Sequence, residues 1–70
     1  MSDTTGWKHH GPYAIAKTIR GVLYEIEAGA TGLDLYHTPH GYRIKIDNYE
    51  WITDAKRAAH DHARSKHENH

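Results

Sequence analysis

Four histidines fall within the last eleven residues, in the segment AAHDHARSKHENH: His60, His62, His67 and His70. Imidazoles at this density have three chemical uses: metal ligation, a pH-dependent charge, or a solvated helix face. Geometry separates them. An α-helix turns about 100° per residue, which puts His60 and His67 roughly 20° apart on the wheel, with Arg64 beside them. His62 lies about 160° from His60, among Ala55, Ala58 and Ala59. The pair in HDH therefore does not chelate. Helical metal sites set ligands at i and i+4, as in H-E-x-x-H. His60 and His67 are two turns apart, roughly 10 Å, too far to share one ion. Asp54, Arg57, Asp61 and Arg64 surround them as alternating charges at helical spacing, so His60 and His67 read as a wet face. His62 reads as a helix histidine packed against the rest of the domain and hydrogen-bonded there.

A second cluster, HTPH, brackets a turn with His37 and His40, but no carboxylate or thiolate stands at a zinc spacing from it. His9 and His10 sit in a polar N-terminal stretch. Covalent catalysis finds no partners. The two serines, Ser2 and Ser65, fall near the chain ends, and there is no cysteine. Glu25 and Glu27 alternate along one strand, which is the pattern of a solvated face rather than a paired acid and base. GATG has neither the spacing nor the lysine of a phosphate loop. The residues thus point to no catalytic site and no cofactor, and leave a histidine-based metal-binding protein, using His37, His40, His60 or His67, as the third-ranked alternative.

The elements that hold these residues follow from periodicity. Residues 1–12 are polar, with Gly6, Gly11 and Pro12, and read as a flexible arm pinned by Trp7. Residues 13–70 form one domain. Tyr13–Arg20 has period two, with Tyr13, Ile15 and Ile19 on one face and Lys17 breaking the apolar row. After a turn at Gly21, Val22, Tyr24 and Ile26 alternate with Leu23, Glu25 and Glu27. GATG closes a hairpin. Leu33, Leu35 and His37 then oppose Asp34 and Tyr36, TPHG turns the chain, and Tyr42, Ile44 and Ile46 alternate with Arg43, Lys45 and Asp47. Trp51, Ile52, Ala55, Ala58, Ala59 and Ala63 recur at helical spacing. Asp47 or Asn48 is the expected cap, with Glu50 completing a capping box. A later start, with Thr53 as cap, is the alternative. The expected fold is α+β: an antiparallel meander of three to four short strands, covered on one face by a C-terminal helix. The expected core is Ile15, Val22, Tyr24, Ile26, Leu35, Ile44, Ile46, Ile52, Ala55 and Ala59.

Size and charge bound the function. A chain of 70 residues without cysteine buries a small core and gains from an oligomeric interface. Nine basic and nine acidic residues balance, which disfavours a dedicated nucleic-acid binder. No apolar run reaches the roughly 20 residues of a membrane span, and MSDTTGWKHHGPY lacks a signal-peptide core, so a cytoplasmic location is expected. A protein partner, or a second copy forming a homodimer, is the expected ligand. Tyr13 and Lys17 on the first strand, taken as the sheet edge, and Leu23 and Tyr36 on the outer face are the candidate contacts. The alternative is a nucleic-acid module using Arg20, Arg43 and Lys45 on the sheet, with Lys56 and Arg57 on the helix.

The strand-then-helix order, closed by NYEWITDAKRAAHDHA, resembles the arm-type DNA-binding domains of phage integrases, although no base-reading motif carries over. The short, cysteine-free chain, rich in Tyr, Trp and His, also resembles accessory proteins of bacteriophages, particularly those of actinobacteria. That second resemblance implies a phage-encoded protein that binds a host macromolecule in the host cytoplasm.

Overall fold

Glycine-marked turns fold the alternating segments back on one another. The structure, a computed structural model, describes residues 6–68, with side chains described for 6–65. These residues form strands β1 (Lys8–His9), β2 (Ala14–Ile19), β3 (Val22–Gly29), β4 (Gly32–Thr38) and β5 (Ile44–Tyr49), followed by helix α1 (Ile52–Glu68). The strands build one antiparallel sheet in chain order. Arg20 and Gly21 join β2 to β3 with φ of 52° and 82°. Two successive positive φ values make the primed turn whose twist matches the flanking strands. At the next hairpin Gly32 has φ +125°, and a Cβ there would lie 2.8 Å from the Tyr49 carbonyl oxygen. Only glycine lets β4 and β5 approach so closely.

The α+β meander under one helix is as expected, with one strand more than the sequence suggests. The extra strand, β1, lies within the segment read as an arm. Lys8 pairs with Ala16 and His9 with Ile15, and the His10 N–H donates to the Ala14 carbonyl at 2.8 Å. A two-residue polar strand carries no periodicity to read. Its anchor is Trp7, which packs against the core. Because β1 pairs with part of β2, the Tyr13–Arg20 segment is not the sheet edge it was expected to be. The unpaired side of the sheet's far end belongs to β5.

β5 also holds an irregularity. Tyr36 stands opposite Lys45, but Leu35 stands opposite Asp47, so Ile46 is an extra residue on this strand. A bulge of this kind inverts the alternation beyond it. Asn48 moves to the charged face, and Tyr49 turns inward to pack against the core. The strand therefore runs through both residues expected to cap the helix. Asp47 Oδ1 accepts a hydrogen bond from the Asn48 N–H at 2.8 Å. The helix starts at Ile52, where the Ala55 N–H donates to the Trp51 carbonyl at 3.1 Å. Trp51 takes the cap position, Thr53 lies inside the first turn, and Asp54 places a negative charge where the helix dipole favours it.

Ala55, Ala59 and Ala63 recur every four residues, so they form one stripe, and all three are buried against Tyr24, Ile26 and Leu35. Small side chains allow close approach of the helix, which lies over β3, β4 and β5. Five of the expected core residues are buried, while Ile15, Val22 and Ile46 pack at its margin. Ile44 and Ile52 are corrected to exposed, at 44% and 40%. Ile44 opens an edge strand with a neighbour on one side, and Ile52 opens the helix beyond the alanine stripe. Tyr13 and Tyr42, expected to face inward, fall outside the strands and are each 73% exposed.

Candidate functional site

The outer face of the sheet carries the charges. Arg43, just before β5, lies over the Tyr36 ring with its guanidinium carbon 3.7 Å from the centroid. From there it donates to Glu27 Oε1 at 2.7 Å and comes within 3.8 Å of Glu25 Oε1. The hydrogen bond to Glu27 holds the guanidinium above its ordinary pKa. Lys45 Nζ reaches Asp34 Oδ1 at 3.2 Å. The Asn48 amide, brought to this face by the bulge, donates to the same oxygen at 2.7 Å. The Asn48 hydrogen bond, then that of Lys45, keeps the Asp34 carboxyl below the usual carboxylate range. Two of the cations nominated for phosphate contact are thus paired with carboxylates. The other three stand elsewhere. Arg20 is exposed in the β2–β3 turn, and Lys56 and Arg57 are on α1, across the sheet from Arg43 and Lys45. The five do not share one surface.

The four candidate protein contacts are divided as well. Leu23 and Tyr36 are neighbours on the outer face, since Tyr36 stands opposite Glu25, two residues from Leu23. Lys17 stands opposite Tyr24 on the inner face, half-buried, where its side chain passes Gly6. Tyr13 lies at the rim of a groove that sequence reasoning missed. Because α1 covers β3 to β5, the inner face near β2 stays open toward the start of the helix. Pro12, Tyr13, Ile15, Ala28, Leu33 and Ile52 line this space of about 230 Å³. Trp51, next to Ile52 in the chain, is 64% exposed.

The histidines separate by depth. His62 is packed and hydrogen-bonded as expected, its Nδ1 2.8 Å from the Tyr24 hydroxyl. His37, inside HTPH, is buried, and its ring stacks on Tyr24 at 5.8 Å and meets His62 edge-on at 4.7 Å. His40 is exposed beyond the end of β4, so the two histidines of HTPH do not face one ion. His60 requires a correction. Its ring is half-buried with Trp7 packed edge-on against it at 6.2 Å, rather than on a wet face. The side chain of His67, and His70 and Ser2, lie outside the described residues. Among the described residues no three His, Asp or Glu side chains are grouped to hold a metal ion. No helix among them is long and apolar enough to cross a membrane.

No family model matches this chain, and no curated protein or solved structure matches it either.

Proposed function

We propose that this chain is a non-enzymatic interaction protein whose partner is another protein chain, in the first instance a second copy of itself, engaged through the apolar groove between β2 and the start of α1. The observation that carries this reading is the groove itself, with exposed Tyr13 and Ile52 at its mouth and Trp51 beside it. Tyr and Trp are over-represented where protein surfaces meet, because they bury much area at small entropic cost. The buried core supports the same reading. Three of its six apolar members are alanine, so a domain of this size gains more from covering exposed apolar surface than a larger one would. Pairing two copies about a twofold axis would cover the groove on both. The resemblance to short bacteriophage accessory proteins fits a binding role in a host cytoplasm. Nucleic-acid binding is less favoured, since Arg43 and Lys45 already neutralise Glu27 and Asp34, and the remaining carboxylates repel phosphate.

Sedimentation equilibrium at micromolar to tens of micromolar concentration tests the proposal. The expected result is a concentration-dependent dimer that Ile52→Asp returns to monomer while circular dichroism stays unchanged. A strict monomer that retards random duplex DNA at low salt would overturn it in favour of the nucleic-acid reading.

A further inference from the structure

Exposed apolar side chains gather at two ends of the domain. Tyr42 and Ile44 lie where β5 begins, and Ile44 stands opposite His37. Tyr13, Trp51 and Ile52 lie at the other end, where β5 has finished and α1 begins. Tyr13 and Ile52 line the groove between β2 and α1. Trp51 precedes Ile52 in the chain yet is not among the lining residues, and it is 64% exposed. Resting on the reading of the groove as a self-association site, we propose that Trp51 is the anchor that fills it: each copy seats its Trp51 in the other copy's groove, and the acids beside the indole meet the basic groups at the rim.

Symmetry narrows the choice of occupant. A pair related by a twofold axis uses the same patch on both copies. The side chain that enters the groove of one copy therefore stands close to the groove on its own copy. Tyr42 and Ile44 fail this condition, because Ile44 pairs with His37 at the end of β4 whereas the groove reaches that strand at Leu33, near its start. Tyr13 and Ile52 are walls of the groove. Trp51 is the remaining large, exposed apolar side chain among the described residues. The space of about 230 Å³ matches a single large aromatic side chain. An indole buries much apolar area with only two side-chain torsions to order, which is why Trp is enriched among the residues that dominate interface energetics.

Charge supports the same pairing. No carboxylate lines the groove, and its one basic group is His9. Lys56 stands four residues after Ile52 on α1, so the two are neighbours along one side of the helix. On the anchor's side, Glu50 precedes Trp51 and Asp54 follows three residues later, both exposed. No ion pair joins His9, Glu50, Asp54 or Lys56 to another described residue. In the reciprocal pair, each copy brings Glu50 and Asp54 toward His9 and Lys56 of the other. The acids steer and orient the approach, and the indole supplies the burial.

Sedimentation equilibrium on the full chain, on Ile52→Asp, on Trp51→Ala and on the double variant Glu50→Lys, Asp54→Lys is the test. Trp51→Ala is expected to weaken the dimer about thirtyfold. The double charge reversal is expected to weaken it about tenfold at low salt and much less at about 0.5 M salt. A strict monomer in every sample overturns the groove reading and this inference with it. A dimer that Ile52→Asp abolishes but Trp51→Ala leaves within about twofold of the unsubstituted chain overturns the anchor alone. The indole also gives a readout that needs no variant. Trp7 packs against the core of its own copy, so a red shift of tryptophan emission on dilution through the dissociation range reports Trp51 leaving the groove. Emission unchanged across that range overturns the anchor.

Discussion

The two faces of the sheet distribute their polar interactions in opposite ways. The outer face holds many: Arg43 with Tyr36, Glu25 and Glu27, and Lys45 and Asn48 with Asp34, all in contact with solvent. The inner face holds few: Tyr24, His37 and His62, packed under the helix among Ile26, Leu35 and the alanine stripe. Counting contacts would rank the outer face as the stronger. Physical chemistry ranks them the other way. An exposed ion pair gains little over hydration and is screened by salt. A hydrogen bond packed between helix and sheet, like that of Tyr24 with the half-buried His62, costs more to lose, because the groups left behind have less access to water. The outer network therefore adds little to stability, and the inner cluster is part of the contact between α1 and strands β3 and β4.

Substitutions of decreasing severity sharpen this contrast. Leu35→Ala removes a fully buried side chain from beneath α1 and is expected to cost about 2–5 kcal/mol. Small domains hold only roughly 5–15 kcal/mol in total, so urea unfolding of this variant is expected to lose much or all of its native baseline. A midpoint close to that of the unsubstituted chain would mean the helix is not what seals β4. Tyr24→Phe keeps the ring and removes the hydroxyl that meets His62. The expected loss is about 1–2 kcal/mol in urea unfolding at pH 7.5, insensitive to salt. Arg43→Ala dissolves the centre of the outer network, yet the expected change is no more than about 1 kcal/mol and shrinks between 0.05 and roughly 1 M salt. The comparison would break if Arg43→Ala proved the more damaging of the last two.

Legibility in the sequence follows the same division. Alternation in VLYEIEA and LDLYH placed Val22 to Glu27 and Leu33 to His37 on their correct faces, because both strands have neighbours on each side and their burial follows the period. β5 was harder. One extra residue, Ile46, shifts the phase, and with it Asp47 and Asn48 cease to be helix caps. The trace of the shift in YRIKIDNYE is the adjacent polar pair Asp47–Asn48 before Tyr49, and the same pair also reads as a helix cap. The histidine wheel placed His62 correctly and misplaced His60. The helix alone has one buried side, but Trp7 folds over a second, and contact from a distant, unpatterned segment leaves no trace in helical period. The groove escaped for a related reason. Sequence shows that a helix covers a sheet, whereas which strands it covers depends on how closely Ala55, Ala59 and Ala63 let it seat.

The meander order has a kinetic consequence. Every strand is hydrogen-bonded to its neighbour in sequence, from β1 through β5. Each hairpin can therefore close across a short loop, at a modest entropic cost, before the next is made. The primed turn at Arg20 and Gly21 is already bent for its partner strands and makes the β2–β3 ribbon a natural nucleus. The contacts of α1 with β3 and β4 join segments more distant in the chain, so docking of the helix is expected to follow the hairpins. Topologies dominated by such local pairings fold faster than those that must join distant segments first. A rapid phase that forms the sheet, followed by a phase in which α1 docks on β3 to β5, is the expected refolding trace.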